Sequence, residues 1–462
     1  MTENSTWLGR DIRRARKEGM PAVMRRQRDR LAGMVAHARA ASPYYRGLYR
    51  GLPERVEDPT LLPVTDKKQL MGHFDDWVAD RAITYEKVRA FSDDPDRIGQ
   101  RFHGKYMVAT TSGTSGRRGL FLLDDRYMDV GAALTSRALA TWLGPAGLLR
   151  AAAHRGRFAQ LVATGGHYVG FAAYSRTLQA GGWRSKLIRA FPVHTPMAQL
   201  VAELNDYRPA FVIGYASTIK LLTAEQEAGR LRIDPVLVQP AGETMTTDDT
   251  DRIARAFRTT VRAMYSATEC TYLSHSCACG WYHVNTDWAV LEPVDADHRP
   301  TPPGQFSHTV LISNLANRVQ PFLRYDLGDS VLLRPDPCPC GNPLPAIRVR
   351  GRAGDVLTFP SRRGDPVQLA PLAFGTLFDR TPGVELFQVE QTAPSILRVR
   401  LLPAADADPD RVWQSAHLEL TRLLADNKLD HVSVQRAEEA PRQTAGGKYR
   451  TVIPFDQSDT RR

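Results

Sequence analysis

The sequence predicts an α/β protein in two parts: a large N-terminal core of layered sheets and helices over residues 1–351, and a small, mobile α/β domain over 352–462. Three observations lead there. A chain of 462 residues exceeds the ~250–300 residues at which one hydrophobic core stops growing. From Tyr106 onward, short apolar or β-branched runs alternate with amphipathic helical patterns, the order of an α/β core. Beyond Arg350-Gly351-Arg352-Ala353-Gly354-Asp355, a turn-rich phrase, the pattern changes to a hairpin, a helix and a basic glycine loop.

The first hundred residues read as mostly helical. One arginine-rich helix is expected from Asp11 to about His37, with Leu31, Met34, Val35 and Ala38 as a partial apolar stripe. Ser42-Pro43-Tyr44-Tyr45-Arg46 breaks it. Strands are expected at 106–110, 211–214, 236–239, 262–265 and 309–313, and helices at 197–206 and 216–227. In the second part, 384–391 and 396–402 alternate as a hairpin and 412–426 reads as a helix.

Composition bounds the function. Hydrophobic residues make up 42% and charged residues 24%, which excludes a disordered or fibrous chain. No run approaches the ~18 apolar residues of a membrane span. Asp11, Arg13, Arg14, Arg16 and Lys17 interrupt any secretory h-region. A cytoplasmic protein without a membrane partner is expected. Of the net charge of +11, residues 1–50 supply +8 from twelve Lys/Arg and four Asp/Glu. The body is therefore nearly neutral, and the basic start reads as a solvated helix face rather than a nucleic-acid site.

Five segments could carry chemistry. The first is Thr110-Thr111-Ser112-Gly113-Thr114-Ser115-Gly116-Arg117-Arg118-Gly119, entered and left by strand-like runs. Its small residues and hydroxyls offer donors to a polyphosphate, although a surface turn has the same composition. No Gly-Lys-Ser/Thr closes it, so it is not a Walker loop. The second is Tyr265-Ser266-Ala267-Thr268-Glu269, where a carboxylate beside a hydroxyl can ligate magnesium or simply begin a helix. The third is Arg324-Tyr325-Asp326-Leu327-Gly328-Asp329, in which Asp329 suits a ribose or closes a tight turn. The fourth is the boundary phrase with Arg352 and Asp355. The fifth is Arg442-Gln443-Thr444-Ala445-Gly446-Gly447-Lys448-Tyr449-Arg450, a lysine on a glycine loop that is otherwise merely solvated.

In this order the five segments resemble the succession found in the adenylate-forming enzymes. The chain is similar to the phenylacetate–coenzyme A ligase branch from about residue 30 to residue 452. Tyr44-Tyr45-Arg46 and Arg-Tyr-Asp-Leu-Gly-Asp are wording typical of that branch. The resemblance implies an ATP-dependent ligase that forms an acyl-AMP and passes the acyl group to coenzyme A. A free-standing carrier protein or an amine stands as the alternative acceptor, because no downstream carrier domain is seen. It further implies that Thr111, Ser112, Gly113, Thr114, Ser115 and Gly116 form the loop over the β- and γ-phosphates. Gly242, Glu243 and Thr244 would flank the adenine, and Tyr265 would stack on it. Thr268 and Glu269 would handle phosphate and magnesium, Asp329 and Arg352 the ribose. Lys448 would bridge carboxylate and α-phosphate, and rotation near Asp355 would then clear the site for a thiol. Many relatives end the phosphate loop in Pro-Lys; here Arg118 and Gly119 stand there, so no catalytic lysine is assigned to it. Thr164-Gly165-Gly166-His167-Tyr168-Val169-Gly170-Phe171 and Gly214-Tyr215-Ala216-Ser217 occupy places that line the acid site in relatives. His167, Tyr168, Phe171 and Tyr215 would suit a flat aromatic acid, or serve as core aromatics. A small carboxylic acid, coenzyme A and a second copy of the chain in a homodimer are the expected partners.

Cysteine placement adds a metal. Cys277-Ala278-Cys279-Gly280 and Cys338-Pro339-Cys340-Gly341 form two matching knuckles about sixty residues apart, leaving only Cys270 over. Cys277, Cys279, Cys338 and Cys340 can supply four thiolates to a structural zinc, with His275 or His283 as substitutes. Four independent reduced thiols are the plainer reading. A zinc-knuckle nucleic-acid-binding protein is the alternative of another class. The knuckles lack the interleaved basic and aromatic residues of a reading surface, which favours the enzyme.

Overall fold

A computed structural model describes residues 5–111, 119–162, 164, 166–193, 195, 197–242, 245–352, 357–361, 366–369, 374, 377–378, 381–405, 407–442 and 450–455. The chain folds as two compact units, Met1–Leu327 with Val331–Val349, and Gly328–Ser330 with Arg350–Arg462.

The single N-terminal helix expected from the periodicity is in fact two. Helices α1 (Ser5–Glu18) and α2 (Met20–Ala41) meet at Gly19, whose φ of 80° only glycine adopts freely. Pro21 in the first turn of α2 fits the break, because the N–H it lacks has no partner there. The apolar stripe of α2 is buried at Leu31, Met34, Val35 and Ala38, and also at Ala22, Val23 and Ala32. Asp11 of α1 accepts from Arg26 and Arg30 of α2, which clamps the pair. Arg30 also lies 3.6 Å from the centre of the Trp288 ring. Helix α3 (Pro43–Leu48) starts where Ser42 ends α2; the Ser42 hydroxyl accepts from the Tyr45 N–H at 3.3 Å.

Strands β1 (Tyr106–Thr111) and β2 (Gly119–Leu123) pair antiparallel, and their last register pair is Thr111 with Gly119. Residues 112–118, between these strands, lie outside the described residues. After α4 (Asp125–Ala153) comes a five-stranded parallel sheet. It runs β3 (Phe158–Val162), α5 (Val169–Ala180), β4 (Ile188–Pro192), α6 (Met197–Tyr207), β5 (Phe211–Tyr215), α7 (Ala216–Glu227), β6 (Leu237–Ala241), α8 (Thr247–Phe257) and β7 (Thr260–Val261). Parallel neighbours need crossovers, and these helices supply them. Apolar strand residues such as Leu161, Val212 and Val238 pack with Leu200, Ile219 and Ile253 from the helices. No helix among the described residues is long and apolar enough to cross a membrane.

Residues 262–265, expected as a strand, are irregular. After β7 the chain leaves the parallel sheet: Ala263 and Tyr265 bond instead to Ser276 and Ser274. Those serines belong to β8 (Ser274–Ser276), followed by β9 (Tyr282–Val284). Strands β10 (Ala289–Val294), β11 (Thr309–Asn314) and β12 (Tyr325–Asp326) form an antiparallel sheet. Strands β13 (Asp329–Leu333) and β14 (Ala346–Arg352) join β9 and β8 in the order β13-β14-β9-β8.

In the second unit, β15 (Leu357–Phe359) and β16 (Val367–Leu369) form a small hairpin. The expected long hairpin is β17 (Val384–Ala393) with β18 (Ile396–Pro403), and the expected helix is α9 (Pro409–Asp426). Strands β19 (Ser433–Arg436) and β20 (Val452–Ile453) add in parallel at either side, in the order β19-β18-β17-β20. Val389, Leu397 and Val399 of the sheet bury against Ala416, Leu420 and Leu424 of α9.

Candidate functional site

The parallel sheet has the order β4-β3-β5-β6-β7. The chain steps from β3 to one side, then crosses to the other, so the winding reverses between β3 and β5. Ligands of doubly wound sheets bind outside the carboxyl ends of the strands at such a switch point. Parts of the segments read as the acid pocket fall there: residues 166–168 come soon after β3, and Tyr215 ends β5. Tyr215 is in register with Ala241, the last residue of β6. Gly242 comes next with φ of 76°, and a Cβ placed on it would lie 3.2 Å from the Tyr215 ring. Two expected site residues, Gly242 and Tyr215, thus lie side by side, and a side chain at 242 would be strained by the positive φ and crowd the ring.

The carbonyl of His167 accepts from the Thr110 N–H at 2.7 Å, tying the segment after β3 to the hairpin that flanks residues 112–118. The His167 ring is 1% exposed and lies 5.5 Å from Phe91, so it packs within the core. Tyr168 is the N-cap residue of α5, and half-buried Phe171 in the first turn stacks with Tyr174. Thr111 ends β1; Ser112, Gly113, Thr114, Ser115, Gly116, Glu243 and Thr244 lie outside the described residues.

Thr268 and Glu269 do not begin a helix. Ala267 and Cys270 exchange backbone hydrogen bonds of 3.2 and 3.0 Å, so Thr268 and Glu269 form the tip of a two-residue turn. Glu269 is 8% exposed. Its Oε1 accepts from the Tyr325 hydroxyl at 2.9 Å, and its carbonyl accepts from Asn314 Nδ2 at 2.7 Å. Tyr325 sits on β12, 3% exposed and opposite Ile312. The hydrogen bond joins two motifs 56 residues apart. A carboxylate offers about four lone-pair sites, so the tyrosine orients the group without exhausting it. Tyr265 stands half-buried just before this turn. Neither Tyr325 nor Asn314 was read as a site residue, although Tyr325 lies within a quoted motif.

Asp329 opens β13, 8% exposed, and β14 beside it ends at Arg352. The two residues read as ribose ligands therefore sit on neighbouring strands. Lys448 lies outside the described residues.

The cysteine knuckles converge, with one correction. The ligand atoms of Cys277, His283, Cys338 and Cys340 all lie within 4.8 Å of one another, so His283 takes the place assigned to Cys279. His283 is buried on β9, and Cys279, exposed like Cys340, keeps its thiol beside Cys277 and Cys338. Each knuckle closes identically: the N–H of Gly280 meets the Cys277 carbonyl, and that of Gly341 meets the Cys338 carbonyl, both glycines with positive φ. Cys277 Sγ is 3.7 Å from Cys338 Sγ, and His283 Nε2 is 3.1 Å from Cys340 Sγ. The other ring nitrogen, Nδ1, lies 2.8 Å from the Leu344 carbonyl, which can only accept. Nδ1 thus carries a proton, and Nε2 faces the thiols, donating to them while the ring is protonated and free to ligate a metal once it is not. Burial opposes ionisation of Cys277, but hydrogen bonds from His283 and from the Trp281 backbone outweigh it and lower the thiol to about 6. Burial pushes Cys340 up to about 12. Arg334 and Arg348 lie 4.8 and 4.4 Å from the Trp281 ring beside Cys338, bringing positive charge close to the cluster. His275 stands apart: burial and then Arg137 push it down to about 3, and its Nδ1 bonds Asn285 at 3.1 Å.

No protein-family model matches this sequence, and no curated protein does. Solved structures match closely in fold. A 2-hydroxyisobutyryl-CoA ligase in the postadenylation state, in complex with R3-HIB-AMP, superposes with a TM-score of 0.66 at 19% identity. That match covers 96% of this chain and 90% of the other. The same enzyme in an open conformation with 2-HIB-AMP and CoA gives a TM-score of 0.55 at 18% identity, over 95% and 91%. The anthranilate CoA ligase AuaEII, in complex with anthranoyl-AMP, gives 0.53 at 14% identity, over 74% and 64%. The chain therefore has the fold of the adenylate-forming acid–CoA ligases.

Proposed function

We propose that this chain is an ATP-dependent carboxylate ligase that activates a small acid, aryl in our reading, and passes it to coenzyme A. In the first step a carboxylate oxygen attacks the α-phosphorus of ATP and the bond to the bridging oxygen breaks, giving acyl-AMP and pyrophosphate. In the second the coenzyme A thiolate attacks the acyl carbon and AMP leaves. The observation that carries this reading is the Tyr325–Glu269 hydrogen bond, which joins two segments assigned to one nucleotide site. Glu269 and Thr268 would take magnesium and phosphate, and magnesium would neutralise the departing pyrophosphate. Residues 111–116 would cradle the phosphates, Gly242, Glu243 and Tyr265 the adenine, Asp329 and Arg352 the ribose. Lys448 would supply charge where carboxylate and phosphate meet. Tyr168, Phe171 and Tyr215 near the switch point support an aromatic acid. A screen of aryl and small aliphatic acids for pyrophosphate release, with and without coenzyme A, tests the proposal. No acid-dependent release from any of them would overturn it.

Tyr325→Phe removes the bond that orients Glu269. Adenylation is expected to fall about tenfold and to need more magnesium, with a stability loss of about 1–2 kcal/mol for a buried hydrogen bond to a carboxylate. A magnesium titration of the variant checks this; an unchanged half-saturation point would remove the orienting role.

We also propose that Cys277, His283, Cys338 and Cys340 hold one structural zinc. Three thiols and an imidazole suit zinc, and four protein ligands leave no open position for catalysis. About one zinc per chain is expected by metal analysis of the purified protein.

A further inference from the structure

The parallel sheet has a second end, opposite the carboxyl ends where the candidate site lies. Phe158 is in register with Ile188 and Phe211, Phe211 with Leu237, and Leu237 with Thr260. The connections leading into these five strands, residues 150–157, 181–187, 206–210, 228–236 and 258–259, therefore gather at one rim. They hold nine Lys/Arg and two Asp/Glu, a net of +7. Residues 51–462 as a whole carry only +3, so the body is near neutral in sum but not in distribution. Arg150, Arg155, Arg184, Lys186, Arg208 and Arg258 are exposed and form no ion pair with a described residue. The acids close by are largely taken: Asp234 lies 3.5 Å from His154, and Glu225 and Glu227 pair with Arg230 and Arg252. Asp206 is the other acid of the rim.

Apolar side chains stand among these cations. Helix α4 breaks at Gly144, whose φ of 60° and ψ of −175° are not helical, and residues 145–153 continue as a short helix of their own. Ala151 is buried with Ala210, Phe211, Val236 and Leu237, which holds that helix against the rim. Leu149, two residues earlier, lies on the opposite face and is 73% exposed; Leu148 is 51% exposed. The Phe158 N–H donates to the Leu187 carbonyl at 2.7 Å, which brings the segment with Trp183, 67% exposed, beside the turn that follows this helix. Single exposed apolar residues are ordinary on a protein surface. Here three of them share a rim with unpaired cations. An anionic bilayer fits that combination: head groups supply the negative charge, tryptophan settles at their level, and leucine enters the acyl boundary. Nucleic acid fits less well, because it calls for stacking platforms and the rim exposes one aromatic ring beside aliphatic leucines.

We propose that this rim docks the chain on an anionic lipid bilayer, with the carboxyl ends of the strands facing away from it, a role that does not depend on the reaction catalysed. A chain without an apolar span can still dock by one face, so the lack of such a span sets no limit here. Co-sedimentation of the full chain with vesicles tests the proposal. Binding is expected to vesicles of phosphatidylcholine and phosphatidylglycerol in equal parts, weakening as salt is raised, and not to phosphatidylcholine alone. Arg155→Gln, Lys186→Gln and Arg208→Gln combined should weaken it about 100-fold, at about fivefold per charge. Leu149→Ser alone should weaken it about tenfold. All four side chains point into solvent, so melting temperatures should stay unchanged; if the triple variant does not fold, Leu149→Ser carries the test. No binding to the mixed vesicles, or full binding by the triple variant, would overturn the proposal. Vesicle binding indifferent to Leu149→Ser, or equal binding to duplex DNA, would overturn it too and leave a basic face open to polyanions at large.

Discussion

Replacing Lys448 by alanine is expected to lower acyl-adenylate formation at least about a thousandfold while sparing thioester formation from supplied acyl-adenylate. The first half-reaction brings two anions together, a carboxylate and the α-phosphate. A preorganised donor aimed at the charge that develops there is worth about 10²–10³ in rate when it is neutral, and a lysine adds a full charge. The second half-reaction has no such encounter: a thiolate attacks an acyl carbon whose phosphate is already a leaving group. Measuring pyrophosphate release and thioester formation separately on the same variant decides the matter. An equal fall in both would mean that Lys448 serves binding or folding rather than adenylation.

Helices and strands were largely legible, because an element that buries one face must repeat its apolar residues with its own period. Met197–Tyr207 and Thr309–Asn314 lie within a residue or so of their expected limits. Legibility failed where the decisive contact is distant in the chain. Nothing in the spacing of Glu269 and Tyr325 announces that they share a hydrogen bond, since it depends on how a turn at 267–270 meets a strand of another sheet. Cysteine spacing indicated that the two knuckles meet but not that His283 joins them, because spacing cannot say which side chains turn inward. Gly19 was visible as a glycine two residues before a proline, yet helical periodicity runs straight through it. The alternation of 384–391 and 396–402 announces a hairpin but not that Gln388 and Arg400, register partners in it, are each 1% exposed.

Removing the metal, or a ligand to it, should have the largest effect on stability. Apparent binding energies of structural zinc reach about 10–16 kcal/mol in isolated fingers. A larger unit with its own core would lose less, but several kcal/mol still lowers the melting temperature by about 10 °C. His283→Ala and Cys340→Ser should each abolish stoichiometric zinc and bring the melting point down to that of the chelator-treated protein. Cys279→Ser, which leaves Cys277, His283, Cys338 and Cys340 in place, should keep stoichiometric zinc. The pH dependence follows from the thiols. In the metal-free protein, Cys277 titrates near 6 against an ordinary value of 9. Between those values the folded chain has shed a proton that the unfolded chain still holds, so this group's contribution to stability grows from pH 6 to 9 and vanishes below. Cys340, pushed up to about 12, has the opposite sign: its contribution is present below 9 and fades above it. Zinc reverses that second term, because a thiolate must form to bind it. At neutral pH, loading should therefore release protons from the ligating thiols, Cys340 among them, and acidification should drive the metal off. Calorimetry of zinc binding in buffers of different ionisation heat counts those protons; a count of zero would mean that the thiols are not the ligands.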